Sequence, residues 1–213
     1  MQLFFSPLAC SLASRVLIRE AHLPIDCVPV SLPRRRSADG QDFLAINPLG
    51  QVPALRFDDG RVLTENIAIL QQLADLAPQA GYLPPRDTPE GQAALQWLSF
   101  TATEVHKLCL YPVFQREAPD AVKAWCRGLL PQRLAHAATR LAATPWLAGD
   151  AFGVADAYFG WALMLAQQAG VDLATQPALQ RYWQALLARP AFAATLGEEQ
   201  ALYRQQAAAA ASR

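Results

Sequence analysis

A chain of 213 residues is long for one domain and comfortable for two small ones. At 53% hydrophobic and 17% charged it can bury a sizeable core. Its 18 Lys and Arg balance 18 Asp and Glu, so it offers no field to draw in nucleic acid or an anionic membrane, and the Arg34-Arg35-Arg36 cluster is too short to change that.

Gln2-Leu3-Phe4-Phe5 reads as a short strand closed by Ser6-Pro7. Cys10 to His22 has helical periodicity, with Leu12, Val16, Leu17 and Ala21 on one side. Asp26 to Leu32 alternates as a strand does. A linking segment with one short helix leads to the strand Val52 to Phe57. Asp58-Asp59-Gly60 is a hairpin turn signal, and Arg61 to Leu63 returns. Glu65 to Leu76 is helical again. The order β-α-β-α-β-β-α, with Val-Pro before the third strand, is the thioredoxin-like layout, an α/β domain over residues 1–78.

Ala77 to Pro89 holds four prolines, Pro78, Pro84, Pro85 and Pro89, and is a linker, set at residues 79–88. Beyond it the composition is helical throughout. Glu90 to Glu117, Asp120 to Ala143, Val154 to Gly170 and Ala178 to Ala188 read as helices, and a shorter one follows Pro190. An all-α helical bundle is expected over residues 89–205. Residues 206–213 are alanine-rich with no apolar face, and fraying is expected there.

No stretch approaches the roughly 18 to 20 apolar residues of a membrane span. The N-terminus has no basic region followed by an apolar run, so no signal peptide is expected and a cytoplasmic location is. Cys10, Cys27, Cys109 and Cys126 include no C-x-x-C pair and match no zinc spacing, so free thiols and no metal are expected.

Three places carry possible chemistry. Pro53 cannot donate to a sheet and belongs at a strand start or edge. It is either an ordinary trans proline there or, as the layout favours, a cis proline that turns the main chain of Val52 outward to pair with a bound peptide. Thr64-Glu65-Asn66 opens a helix, whose unpaired N–H groups and positive dipole end suit a carboxylate or simply a cap. Cys10 lies at the start of the first helix, where the dipole favours thiolate; the alternative is a buried structural thiol. No second cysteine follows two residues on, which argues for monothiol chemistry.

Leu3-Phe4-Phe5-Ser6-Pro7, Ala9-Cys10-Ser11-Leu12-Ala13, Ala45-Ile46-Asn47-Pro48, Gly50-Gln51-Val52-Pro53-Ala54-Leu55 and Leu63-Thr64-Glu65 closely resemble the N-terminal domain of glutathione transferases of the bacterial beta class. The resemblance covers nearly the whole chain and is most specific in the first domain. It implies a homodimer that binds glutathione as co-substrate, without metal, and adds its thiolate to an apolar electrophile. Cys10, His106 and Ser11 are the implied catalytic groups. Ala9, Arg35, Gln51, Val52, Pro53, Glu65, Asn66, Ser99, Thr103, Glu104 and Lys107 are the implied glutathione contacts.

Ser99, Thr103 and His106 are spaced four and three apart, on one face of the first long helix. The histidine is either structural or, as the resemblance implies, a partner of the Cys10 sulfur or the glutathione thiol. Thr103 and Glu104 would hold the glutamyl end, with Glu104 supplied by the partner subunit. Arg35 stands where the family tends to have Lys; it is a partner for the glycyl carboxylate or a solvated charge.

Gly149-Asp150-Ala151-Phe152-Gly153-Val154-Ala155-Asp156 resembles the superfamily's folding signature, with Gly153 in place of a capping hydroxyl and Asp156 structural. That replacement is expected to cost only a few tenths of a kcal/mol. Two other activities fit the same chain: glutathione-dependent thiol–disulfide exchange through Cys10, and non-catalytic binding of apolar compounds against aromatics such as Tyr111, Phe114 and Trp161.

Overall fold

Leu3, Phe4 and Phe5 are all buried, so the strand that carries them, β1 (Gln2–Phe5), lies inside a sheet rather than at its edge. The computed structural model describes residues 1–211. It pairs β1 in parallel with β2 (Asp26–Ser31), Leu3 opposite Cys27, and antiparallel with β4 (Ala54–Arg56), Leu3 opposite Leu55. β5 (Val62–Thr64) extends the sheet beyond β4, and a two-residue strand, β3 (Arg36–Ser37), closes the other side against Val30 and Ser31. The order is β3-β2-β1-β4-β5. β3 escapes a sequence reading because an arginine run has no strand signature; pairing alone makes it one.

Phe4, Val30, Phe43, Val52 and Ala54 form one buried cluster, with the Phe4 and Phe43 rings 5.9 Å apart. Phe43 comes from the short α2 (Phe43–Ile46), capped by Asp42 accepting from the Leu44 N–H. Helices α1 (Ser11–Glu20) and α3 (Asn66–Asp75) pack on each other, burying Leu12, Val16, Leu17, Ile69, Leu70 and Leu73. The expected thioredoxin-like domain is present, with element bounds within a few residues of those read from the sequence.

The C-terminal helix departs from expectation. It is not a short member of the helical bundle. α9 runs over Pro190–Ala211, packs on α1, and belongs with Met1–Ala80 in one compact unit. Phe192, Thr195 and Leu196 are buried. Arg189, just before it, forks onto Glu20 at 2.7 and 2.8 Å, and Arg15 and Arg19 reach Glu198 at 3.1 and 2.6 Å. The expected frayed tail is helical as far as Ala211; residues 212 and 213 lie outside the described residues.

The second unit, Gly81–Ala188, is helical. α4 (Pro89–Phe100) is capped by Thr88 accepting from the Gly91 N–H. It continues into a π-helical segment, Thr101–Leu110, and the short α5 (Tyr111–Phe114). α6 (Asp120–Ala143) matches the expected span. α7 (Val154–Gln168) is the core helix, buried almost all round, and α8 (Pro177–Leu187) packs on α6 and α7.

Asp156 is structural, as expected. Its Oδ2 accepts from the Gly153 N–H and its Oδ1 from the Leu147 N–H and the Tyr182 hydroxyl, each at 2.9 Å. Gly153 is not a cheap stand-in for a hydroxyl residue, however. A Cβ there would lie 2.6 Å from the Tyr82 carbonyl, which accepts from the Val154 N–H at 2.9 Å. Close approach of two backbones demands the glycine.

Among the described residues, no helix is long and apolar enough to cross a membrane.

Candidate functional site

The turn between β1 and α1 presents Cys10. Pro7 is buried and Leu8 takes a left-handed φ of 61°, rare for a leucine. Ala9 closes the turn, its N–H donating to the Ser6 carbonyl at 3.1 Å, and Cys10 occupies the N-cap position of α1 without a side-chain cap bond. The Cys10 Sγ donates to the Val52 carbonyl at 3.4 Å. That carbonyl belongs to the cis Val52–Pro53 bond, which was expected from the layout. The thiol is partly exposed, and all four cysteines are free.

Ser11 does not join it. The side chain is fully buried; its Oγ accepts from the Ser6 N–H at 3.2 Å and donates to the Ser6 carbonyl at 3.3 Å. With both roles taken by the backbone of β1's exit, the hydroxyl pins the turn and is not placed to act on a thiol. The hydroxyl expected to be catalytic is thus turned toward Ser6.

Asn66 is likewise a strut by its side chain. Nδ2 donates to the Cys10 carbonyl at 3.1 Å and Oδ1 accepts from Ser14 Oγ at 2.8 Å. Its neighbour Glu65 is exposed, sits at the α3 N-cap with φ 68°, and makes no side-chain cap. A non-glycine held there is strained, and the first amides of α3, as at any helix start, have no partner within the helix. Arg35, also at positive φ, donates Nη1 to the Gly50 carbonyl at 2.6 Å while its residue stays exposed. Gln51 is exposed, and its carbonyl accepts from Asn47 Nδ2 at 2.7 Å. Cys10, Ala9, Val52, Pro53, Glu65, Asn66, Arg35 and Gln51 thus all belong to the first unit.

The remaining expected residues belong to the second unit, where the helical stripe is broken. The Tyr111 N–H donates to the His106 carbonyl, the five-residue reach of a π-helix. Ser99 and Thr103 stay together and exposed, with Thr103 Oγ1 donating to the Ser99 carbonyl at 2.9 Å, whereas His106 is buried. Its Nδ1 lies 2.7 Å from the Tyr158 hydroxyl, and the ring packs edge-on to Tyr111, Tyr158 and Trp161. Burial first, and Lys107 second, push the imidazole down to about 3. His106 is therefore neutral near pH 7. Glu104 pairs with Arg133 at 3.2 Å, and Lys107 Nζ lies 4.6 Å over the Tyr111 ring.

The sequence reading missed Glu199 of α9. Its carboxylate is wholly buried, with Oε2 accepting from the Leu8 N–H at 2.7 Å and Oε1 from Arg15 Nη1 at 3.0 Å. The available signal was its spacing: Phe192, Thr195, Leu196 and Glu199 follow the three-and-four rhythm of one helix face. No group of His, Cys, Asp and Glu suited to a metal occurs among the described residues.

The glutathione S-transferase N-terminal domain family matches residues 9–76, and its C-terminal domain family matches residues 100–190. Glutathione S-transferase GstA of Escherichia coli O157:H7 is 37% identical over 190 residues, 89% of this chain and 94% of that protein. Among solved structures, a sphingomonad glutathione S-transferase complexed with glutathione is 40% identical with a TM-score of 0.89, covering 94% of this chain and 99% of its own. A beta-class glutathione S-transferase of Sphingomonas chungbukensis is 37% identical with a TM-score of 0.88, covering 93% and 98%.

Proposed function

Because the chain belongs to the glutathione S-transferase family and is a glutathione transferase resembling the beta class, we propose that Cys10 is the thiol beside which it activates glutathione. One observation carries this reading: the Cys10 Sγ sits at the start of α1, 3.4 Å from the Val52 carbonyl at a cis proline. Main-chain pairing at Val52 and Gln51 aligns the cysteinyl part of the tripeptide. The first amides of α3, at Glu65 and Asn66, take its glutamyl carboxylate. Arg35, tethered to the Gly50 carbonyl, takes the glycyl carboxylate, and Ala9 flanks the sulfur.

For Ser99, Thr103, Glu104 and Lys107 as glutathione contacts, the support is the resemblance alone. His106 acts in this reading as a neutral hydrogen-bond partner of a thiol, not as a cation, since burial keeps it unprotonated. In conjugation the glutathione thiol loses its proton to solvent, the thiolate sulfur bonds to the electrophilic carbon of an apolar acceptor, and that carbon's bond to its leaving group breaks, the group departing with the electron pair.

A second activity is favoured by Cys10 itself. Its thiolate attacks one sulfur of oxidised glutathione, the S–S bond breaks, a mixed disulfide forms, and one glutathione thiolate leaves. A homodimer and a cytoplasmic location complete the proposal. The first is supported by the resemblance and the second by four free thiols, which suit a reducing compartment.

The test is the mass of the protein after incubation with oxidised glutathione, with Cys10→Ser as control, alongside turnover of an aryl halide with reduced glutathione. One glutathionyl adduct in the wild type alone supports Cys10 as the reactive thiol. No adduct, with turnover unaffected by Cys10→Ser, would remove it from the chemistry.

A further inference from the structure

Phe192, Thr195, Leu196 and Glu199 are 0, 0, 8 and 0% exposed. An ionisable group in the fourth place of a buried helix stripe is costly unless partnered. Glu199's partners come from the opposite end of the chain: the Leu8 N–H at 2.7 Å and Arg15 Nη1 at 3.0 Å. Leu8 lies two residues before Cys10 and is held in a left-handed conformation that leucine rarely adopts. The neighbouring bonds of the turn, Ala9 N–H to the Ser6 carbonyl and Ser11 Oγ to Ser6, fasten its two ends.

We propose that Glu199 is a positioning residue for the thiol chemistry: its carboxylate holds the Leu8 amide and thereby fixes the turn that presents Cys10 beside Val52. This rests on the reading of Cys10 as the reactive thiol. The distance from Glu199 to the reacting sulfur is spanned by covalent backbone from Leu8 to Cys10, so the effect needs no contact with substrate.

The charge state of the carboxylate matters to this hold. Burial pushes Glu199 up to about 7, against the pull of Arg15 and of the Leu8 N–H. The other groups facing it are Cys27 of β2, and Glu198 of its own helix, itself paired with Arg19 of α1. As pH falls through neutrality the carboxyl takes up a proton. Its attraction to Arg15 is lost, and the bond from Leu8 becomes an ordinary neutral one. Above neutrality the charge-assisted bond is restored and the turn is fastened.

The experiment is the pH profile of Cys10 alkylation by iodoacetamide, read by peptide mass, in full-length wild type, Glu199→Gln and Glu198→Gln. It is run beside the pH dependence of the Leu8 amide resonance in the wild type. Wild type and Glu199→Gln should react alike near pH 6 and separate by roughly tenfold near pH 8, the worth of about one hydrogen bond. Glu198→Gln should keep the wild-type rise in reactivity, its midpoint moved down as a neighbouring negative charge is lost, and the wild-type Leu8 amide should titrate with a midpoint near 7. Coincident profiles, or a parallel offset at every pH as general loss of packing would give, overturn the proposal. So does a Leu8 amide indifferent to pH, whether or not the variant folds. Failure of Cys10 to alkylate in the wild type is a separate failure, that of the Cys10 reading itself, and this inference falls with it.

Discussion

Asn66 reaches back from the first turn of α3 and donates its Nδ2 to the Cys10 carbonyl at 3.1 Å, while its Oδ1 accepts from Ser14 Oγ at 2.8 Å. One side chain therefore ties the start of α3 to the first turn of α1. Asn66→Ala removes both bonds and strands a buried Ser14 hydroxyl, so a loss of about 2–4 kcal/mol is expected in urea unfolding. Asn66→Asp keeps an acceptor for Ser14 but has no donor for Cys10. It should slow mixed-disulfide formation with oxidised glutathione as well as destabilise; an unchanged rate would show that the tie does not reach the thiol.

Ser11 adjoins Cys10, the proposed reactive thiol, in sequence, but its hydroxyl bonds to Ser6. Ser11→Ala is expected to cost about 1–2 kcal/mol, since the Ser6 N–H and carbonyl lose a buried partner. The extent of glutathionylation at Cys10 should remain complete at saturating oxidised glutathione. A stable Ser11→Ala protein that forms no adduct would restore a chemical role to the hydroxyl.

His106 should stay neutral throughout the working pH range. With the folded value near 3 and the unfolded one near 6.5, the unfolded chain binds more protons between those limits. The residue's contribution to stability is whole above about pH 6.5 and is lost as pH falls toward 3, at about 1.4 kcal/mol per pH unit. Imidazole proton shifts assigned by His106→Asn should be flat from pH 8 to pH 5. A midpoint near 6 would mean the ring is wetter than its aromatic surroundings imply.

Gly153→Ser tests the reading of the folding signature from the opposite side. It restores a capping hydroxyl, worth about 1 kcal/mol at an ordinary helix start. Here its Cβ would fall 2.6 Å from the Tyr82 carbonyl oxygen. Backbone must move, and a net destabilisation of about 1–3 kcal/mol is expected, measured as a fall in the urea midpoint. A stabilised variant would show that Tyr82 yields easily.

What could be read from the sequence was what depends on local pattern. The strand Gln2–Phe5, the hairpin at Asp58-Asp59-Gly60 and the span of α6 follow from alternation, turn chemistry and helical period. The placement of Cys10 and of cis Pro53 followed from their positions in a known layout. What escaped depends on partners remote in sequence. Ser11 looked chemical because it adjoins Cys10; only the fold shows both of its hydrogen bonds turned toward Ser6. The stripe Ser99, Thr103, His106 was laid out on α-helical spacing, and nothing in its composition announces the π-helical stretch that separates exposed threonine from buried histidine. Glu199 belongs to a helix read as part of the wrong domain, because the proline-rich linker suggested a single crossing between units.

The return of α9 to the first unit has a bearing on how the protein is made. The surface that meets Leu8 is translated after every helix of the second unit. While the ribosome is at work, residues 1–80 can form their sheet, but α1 lacks its cover and Leu8 lacks its carboxylate. Until α9 emerges, the nascent chain would carry a cysteine turn without that contact. An excised N-terminal fragment should stop at that same unfinished stage, with an exposed apolar face on α1 inviting association.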